Sequence, residues 1–191
     1  MLSVGAGGPA AVTFASSEDA DFGAEPLTVA DLQNLVADGQ KQAEEAYTAC
    51  ESLRNMLPEE PHRLVMEFLT RRDEINAAIE YLGAAAPGNF VKTRVHGDFH
   101  LGQVLIVNND VMITDFEGEP LRSLEERRAK FSPMRDVAGM LRSFSYAANR
   151  AVRELTVGLE HRLAETIARA LRWEERAQEI FLASYAAAAQ G

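Results

Sequence analysis

The sequence of 191 residues is short of cysteine and of positive charge. Its single cysteine, Cys50, cannot form a disulfide within the chain, and a lone thiol fits the reducing conditions of the cytoplasm. The 19 lysines and arginines are outnumbered by 29 aspartates and glutamates, which gives a formal net charge of -10. A protein that holds nucleic acid needs a basic surface to neutralise phosphates. We therefore expect a cytoplasmic protein without a nucleic-acid partner.

Long apolar segments are also missing. No apolar run approaches the roughly 20 residues that cross a bilayer, and the first residues lack the positively charged stretch that begins a signal peptide. Hydrophobic residues make up 47% and charged residues 25% of the chain, as in an ordinary soluble globular protein. We expect no membrane partner.

The acidity is concentrated near the N-terminus, where residues 1–60 contain 11 acids and 2 bases. This charge fits either a solvated helical face or an acidic surface for a partner. Residues 1–26 are rich in glycine, alanine and serine without a sustained period, which predicts a flexible tail or linker. Apolar residues at helical spacing then predict helices over about 28–57, 62–82, 134–150, 152–170 and 173–189. Thr28 with Asp31 three residues later resembles a capping box at the start of the first helix. The charged residues 121–133 predict an irregular loop or a short helix.

The period changes to that of β-structure between these helical regions. Two β-rich runs, 104–107 and 111–114, flank the turn-forming residues 108–110 and predict a hairpin. A three-residue loop would place Gln103 opposite Asp115 across the strands, whereas a two-residue turn would shift the register by one. Amide and carboxylate oxygens at the open end of the hairpin suit Mg²⁺, which takes few protein oxygens and completes its shell with water and phosphate.

Asp98 lies on the loop that enters this hairpin, five residues before Gln103. The spacing matches the protein-kinase pattern H-R-D-x-x-x-x-N with glutamine in place of asparagine, and Asp115-Phe116 stands where a kinase has D-F-G. A carboxylate at this position can accept a proton from a hydroxyl while a metal holds a phosphate. The combined pattern predicts phosphoryl transfer with Asp98 as the catalytic base.

Three segments carry a resemblance to a known family: HGDFHLGQVL at 96–105, DFEGEP at 115–120 and RDVAGMLRSF at 135–144. They resemble the maltokinases, bacterial aminoglycoside-phosphotransferase-like kinases that are often fused behind trehalose synthase. The close match covers about residues 91–148. It implies an α+β, mostly helical, kinase-like C-lobe over residues 27–191. It also implies transfer of phosphate from ATP to the anomeric hydroxyl of maltose, which gives maltose 1-phosphate.

The resemblance also implies roles for single residues. Asp98 would be the base, Gln103 and Asp115 would hold Mg²⁺, Asp136 would brace the catalytic loop, and His96 would pack beneath that loop. Arg135 could pair with an acid such as Glu117 or Glu119 or form a surface ion pair. The candidates for contact with the sugar are His100, Glu117, Arg135, Tyr146 and Tyr185, each of which has a purely structural alternative.

The parts of a kinase N-lobe are not recognisable in the sequence. The chain has three lysines, at positions 41, 92 and 130, and none lies in a V-A-I-K-like strand whose lysine pairs with ATP. The glycine-rich residues 5–10 resemble a phosphate-binding loop, but no strand is predicted before them. We therefore expect a C-lobe that is inactive alone, with an N-lobe and a trehalose synthase domain as partners in the same polypeptide. The alternatives are a kinase for another sugar or an amino sugar such as glucosamine, and a non-catalytic fusion or interaction module.

Overall fold

The computed structural model describes residues 2–4, 19, 21–84, 90–108, 110–118, 120, 122–158 and 160–189. The chain divides into two compact units, one formed by Met1–Glu25 with Val91–Gly191 and the other by Pro26–Phe90. Most of the predicted tail lies outside the described residues, and so do the glycines of residues 5–10. Leu2–Val4 form a strand within the tail, so the expectation that no strand precedes those glycines is wrong. The boundary between a tail and a lobe at residue 26 stays a prediction.

The unit Pro26–Phe90 consists of helices α1 (Val29–Leu53), α2 (Glu59–Thr70) and α3 (Arg72–Gly83). The amide of Asp31 donates to Thr28 Oγ1 at 3.1 Å and the amide of Thr28 donates to Asp31 Oδ2 at 2.8 Å. This reciprocal pair confirms the capping box that the sequence predicts before α1. The buried ring of Tyr47 packs 5.4 Å from Phe68 and anchors α1 on the other helices.

The single helix predicted over 62–82 is instead two helices. They meet at Arg71, whose backbone leaves helical geometry with φ −92° and ψ 11°. No proline or glycine marks this break, and the apolar spacing continues across it. The guanidinium of Arg71 binds Glu74 in the first turn of α3 through two hydrogen bonds of 2.8 and 2.7 Å.

The other unit contains the strands and the remaining helices. Strands β1 (Leu2–Val4), β4 (Val104–Val107) and β5 (Asp110–Ile113) form an antiparallel sheet in the order β1-β5-β4. Two-residue strands β2 and β3 lie at Glu25–Pro26 and Val91–Lys92. The helices are α4 (Leu124–Arg128), α5 (Met134–Thr156) and α6 (Leu163–Ala189).

Helices α5 and α6 replace the three helices predicted after residue 134. Gly158 lies between the end of α5 and the start of α6. It has φ +70°, a conformation that glycine adopts without a steric penalty. Phe144 joins the two helices, because its ring meets Trp173 and Phe181 edge to face at 6.1 and 5.9 Å. The buried residues of α5 lie on one face: Asp136, Val137, Met140, Phe144 and Ala148.

The predicted register of the hairpin is wrong by one residue. Val107 pairs with Asp110, so the turn has two residues rather than three. Asn108 takes a left-handed conformation with φ 53°, which asparagine tolerates better than most residues. Consequently Thr114, not Asp115, follows the strand opposite Gln103, and its amide donates to the Gln103 carbonyl at 2.9 Å.

Among the described residues, no helix combines the length and the apolar character that a bilayer crossing requires.

Candidate active site

The loop that carries Asp98 is fixed from below by a buried carboxylate. Asp136, in the first turn of α5, accepts hydrogen bonds from the backbone amides of His96 at 2.7 Å and Gly97 at 2.9 Å, one on each oxygen. Burial raises the pKa of Asp136, against the opposing effect of these two bonds. The two bonds tie the loop to the start of α5.

His96 lies within the protein, with 2% of its surface exposed. Its Nε2 bonds the carbonyl of Thr114 at 2.8 Å, so this nitrogen carries the hydrogen and Nδ1 is left to accept from the amide of Asp98 at 3.4 Å. The rings of Phe99 and Phe116 pack against it at 5.5 and 4.9 Å. The imidazole thus connects the loop to the end of β5.

Two glycines allow this loop to take its path. Gly97 has φ +84°, in the left-handed region that favours glycine. At Gly139 on α5, an added Cβ would lie 2.6 Å from the carbonyl oxygen of Phe99, well inside van der Waals contact. The amide of Leu101 also donates to Ser143 Oγ at 3.2 Å. Sequence reasoning missed Gly139 and Ser143, whose only signal is their helical spacing from Asp136.

Asp98, Gln103 and Asp115 come together at the open end of the hairpin. Gln103 Nε2 donates to Asp115 Oδ2 at 3.0 Å. Asp98 Oδ2 lies 3.9 Å from His100 Nε2, which in turn lies 3.5 Å from Gln103 Nε2. The carboxylate of Asp98 is partly exposed, with 42% of the side chain accessible. A partly exposed carboxylate beside a carboxylate–amide pair can accept a proton next to a bound cation.

Gln103 and Asp115 are neighbours for a reason other than the predicted one. Asp115 has φ 62°, an uncommon conformation for a residue with a side chain. The backbone therefore leaves the alternation of β5 at this point, and the carboxylate reaches Gln103 despite the shifted register. Non-glycine residues held at positive φ are concentrated at functional sites, where surrounding contacts maintain the strain.

The pair can contribute to a magnesium site that a substrate completes. Mg²⁺ is usually held by one or two carboxylates together with phosphate oxygens and water. Gln103 and Asp115 supply an amide oxygen and a carboxylate, which fit this requirement. Within the described part of the chain, no group of three or more histidine, cysteine, aspartate or glutamate side chains forms a site of its own. The donor set thus suits a cation whose remaining positions would be filled by water or by a phosphate.

The other predicted residues are less closely tied to this cluster. Arg135 lies 4.5 Å over the ring of Phe131, and none of the described residues forms an ion pair with Glu117. Glu119, the other suggested partner of Arg135, lies outside the described residues. Tyr146 is mostly exposed and accepts a hydrogen bond from Arg142 at 2.8 Å.

Tyr185 packs in the aromatic cluster between α5 and α6, 6.5 Å from Phe181. Burial raises the pKa of Tyr185, and the negative charge of Asp136 raises it further. Tyr185 therefore lies within electrostatic reach of the residue that braces the loop.

A small cavity of about 10 Å³ lies beside the loop that carries Asp98. Arg127, one of its lining residues, has a buried Nε without a hydrogen-bond partner among the described residues, while its Nη1 donates to the Glu117 carbonyl at 3.2 Å. The volume is that of a single water molecule. The lining residues are Val95, Gly97, Gly118, Arg122, Glu126, Arg127, Phe131 and Arg135.

Comparison with known proteins relates the chain to sugar kinases. No protein-family model matches it. The glucosamine kinase of Mycolicibacterium smegmatis (strain ATCC 700084 / mc(2)155) is 30% identical over 125 residues, which are 65% of this chain and 28% of that protein. The glucosamine kinase of Streptacidiphilus jiangxiensis is 36% identical over 58 residues, which are 30% of this chain and 13% of that protein.

Solved structures give the same relationship. A glucosamine kinase in complex with glucosamine, ADP and inorganic phosphate superposes with a TM-score of 0.71 at 25% identity, over 93% of this chain and 38% of that one. A glucosamine kinase in crystal form A gives 0.68 at 26% identity, over 87% of this chain and 36% of that one. The chain shares its fold with glucosamine kinases. It spans well under half the length of each of these relatives.

These comparisons confirm the broader part of the predictions, a mostly helical segment of a kinase-like sugar kinase fold. The finer assignment to maltokinases stays a prediction. Residues that the sequence predicts for the site keep their roles as predictions, with the contacts described above.

Proposed function

We propose that the chain is the C-lobe of an ATP-dependent sugar kinase, the part that binds the acceptor and carries the catalytic base. The observation that supports this most directly is the grouping of Asp98 with the Gln103–Asp115 pair, on a loop held by Asp136. In phosphoryl transfer, positioning and electrostatic stabilisation supply nearly all of the catalysis. A rigidly braced base beside two oxygen-bearing side chains meets both needs.

In the proposed reaction, Asp98 accepts the proton of a sugar hydroxyl while the oxygen of that hydroxyl forms a bond to the γ-phosphorus of ATP. The bond from that phosphorus to the bridging oxygen breaks, and ADP leaves with the electron pair. Gln103 and Asp115 would hold Mg²⁺, which when bound neutralises charge on the phosphates. Asp136 and His96 keep the loop in place and do not touch the reacting atoms.

We assign the ATP-binding lobe to another part of the same polypeptide. Lys92 lies in the two-residue strand β3, and none of the three lysines of this chain has the V-A-I-K context in which a kinase lysine pairs with ATP phosphates. The chain also covers only 38% and 36% of the length of the two solved kinases that share its fold. A fusion to trehalose synthase remains part of the proposal and rests on the family resemblance of the sequence motifs.

For the acceptor we favour an amino sugar of the glucosamine type. The relatives named above are glucosamine kinases, and one of their structures contains glucosamine. Sequence spacing suggested that Arg135 could neutralise Glu117, which would disfavour a cationic sugar. Arg135 lies over Phe131 instead, and Glu117 is exposed, so a carboxylate is left for an ammonium group. Maltose is the second candidate, supported by the resemblance of DFEGEP and RDVAGMLRSF to maltokinases.

The test is the acceptor preference of the full polypeptide that carries this chain. We expect ATP-dependent phosphorylation of glucosamine with a higher kcat/KM than for glucose or maltose, and NMR would identify the phosphorylated oxygen. A preference for maltose, with phosphate on its anomeric oxygen, would refute the amino-sugar assignment and keep the kinase assignment. No transfer to any sugar would refute both.

A further inference from the structure

The Gln103 amide has the wrong atom directed at Asp115 for metal binding. Its nitrogen donates to Asp115 Oδ2 at 3.0 Å, while its oxygen lies 3.5 Å from Thr114 Oγ1. A magnesium ion between Gln103 and Asp115 needs oxygen from both. Under the function proposed above, the amide must therefore invert when the metal binds, so that Oε1 takes the place of Nε2.

His100 is placed to distinguish these two orientations. Its Nδ1 accepts a hydrogen bond from the amide of Gly102 at 3.0 Å, so the hydrogen of the neutral ring lies on Nε2. This Nε2 is 3.5 Å from Gln103 Nε2. Two donors therefore face each other in the orientation observed, whereas after inversion the imidazole N–H would face the amide oxygen.

The backbone makes room for the imidazole at this position. An added Cβ on Gly102 would lie 2.8 Å from Cε1 and 2.9 Å from Nδ1 of the His100 ring, closer than real Cβ atoms come. The same ring lies 3.9 Å from Asp98 Oδ2, too far for a direct hydrogen bond. The side chain is thus fixed near the metal ligand by Gly102, with its distal nitrogen directed at the Gln103–Asp98 side of the cluster.

We propose that His100 is a positioning residue for the metal site, whose Nε2–H stabilises the inverted Gln103 amide that presents oxygen to the cation. Asp115 holds the amide nitrogen when no metal is present. Metal binding removes that acceptor, and His100 then provides a donor for the amide oxygen. The role differs from contact with the sugar, which the sequence suggested for this residue.

Two substitutions distinguish the roles of the two nitrogens of the His100 ring. His100→Asn keeps a near acceptor for the Gly102 amide but removes the distal donor, whereas His100→Gln restores a distal N–H. Mn²⁺ serves as the probe, because it takes the same oxygen ligands and broadens nearby NMR signals. At pH 8 we expect His100→Asn to weaken Mn²⁺ binding about fivefold, as the loss of one hydrogen bond would. His100→Gln should stay within about twofold of the unaltered chain.

The same substitution of His100 in a chain that also carries Gln103→Glu shows whether His100 acts through the Gln103 amide. In Gln103→Glu both terminal atoms are oxygens, so no orientation remains to be selected. We expect His100→Asn to have no effect on Mn²⁺ affinity there. The urea unfolding curve of the metal-free chain should also be unchanged by His100→Asn, because asparagine keeps the acceptor for the Gly102 amide and Asp115 alone holds the Gln103 amide in that state. His161→Asn, at an exposed histidine of the same unit, is the matched control.

The outcomes distinguish this proposal from the function on which it rests. Equal weakening by His100→Asn in both backgrounds, or no weakening in either, would overturn the role of His100. A lower stability of the metal-free His100→Asn chain would overturn it too, since it would indicate a merely structural loss. If Mn²⁺ leaves the Gln103 signals of the unaltered chain unbroadened, the metal site itself is wrong and the proposed function loses its metal ligands.

Discussion

Replacement of Asp136 by asparagine tests the brace beneath the loop that carries Asp98. The carboxylate accepts one backbone N–H on each oxygen, at 2.7 and 2.9 Å, and only 7% of the residue is exposed. Asparagine can accept only one of these bonds, and its NH₂ group then faces the other backbone N–H. An unsatisfied buried donor costs about 1–3 kcal/mol. We therefore expect a loss of about 2 kcal/mol in the free energy of unfolding.

The natural assay is urea unfolding followed by the fluorescence of Trp173. This is the only tryptophan of the chain, and its ring packs on Phe144 of α5, so its signal reports on the unit that contains Asp136. Glu165→Gln is the matched control in the same unit. Glu165 occupies the first turn of α6 and is exposed, so only its interaction with the helix dipole is lost, at a cost of about 0.5 kcal/mol. A loss at Asp136 no larger than at Glu165 would refute the brace.

The pH dependence of the same measurement follows from the raised pKa of Asp136. Since the folded-state pKa exceeds the unfolded value, the folded chain binds this proton more tightly. The contribution of the group to stability is therefore fully present below the unfolded pKa and decreases as pH rises through the folded pKa. The difference in stability between the unaltered chain and Asp136→Asn should thus grow as pH falls from 7 toward 4. A difference that shrinks over this range would show that the two backbone bonds outweigh burial.

Three further predictions concern catalysis and packing. In the full polypeptide, Asp98→Asn should lower kcat about 10²- to 10⁴-fold, the usual contribution of a general base, with the Trp173 unfolding curve unchanged; an unaltered kcat would disprove the base. Gly139→Ala should destabilise the chain by about 2 kcal/mol, because the new Cβ would overlap the Phe99 carbonyl; Ala138→Gly, at an exposed position of the same helix, should cost about 1 kcal/mol or less. The 191-residue chain alone should transfer no phosphate from ATP to glucosamine or maltose in a coupled assay, and turnover close to that of the full polypeptide would contradict the missing-lobe argument.

Short-range patterns in the sequence were sufficient for much of the fold. The capping box at Thr28 and Asp31 depends on four residues, and the structure forms it. The hairpin and the short helix before Lys130 also depend on local turn and charge signals. Where a prediction required the exact end of an element, it was less successful. At the break near Arg71 the sequence has no proline or glycine, and the apolar spacing continues without a gap. The pattern therefore predicts one helix where the structure has α2 and α3.

The long-range contacts of the site were beyond what spacing could provide. The match to a kinase motif suggested that Asp136 braces the loop, but not that its two oxygens would divide between His96 and Gly97. The close approach of α5 to Phe99 at Gly139 depends on the distance between two elements that are 40 residues apart. A glycine within a helical pattern otherwise predicts only a loss of helix propensity.

The Gln103–Asp115 contact shows why a correct pair can follow from an incorrect register. Strand alternation alone, with the observed two-residue turn, puts Thr114 opposite Gln103 and directs Asp115 to the other face. The left-handed backbone at Asp115 compensates for that shift. Such a conformation costs a non-glycine residue of the order of 1 kcal/mol or more, so it persists only where surrounding contacts fix it. The contacts beside it are the His96 bond to the Thr114 carbonyl and the packing of Phe116 on the same ring. The buried histidine therefore serves both halves of the site, because it holds the amide of Asp98 through one nitrogen and the approach to Asp115 through the other.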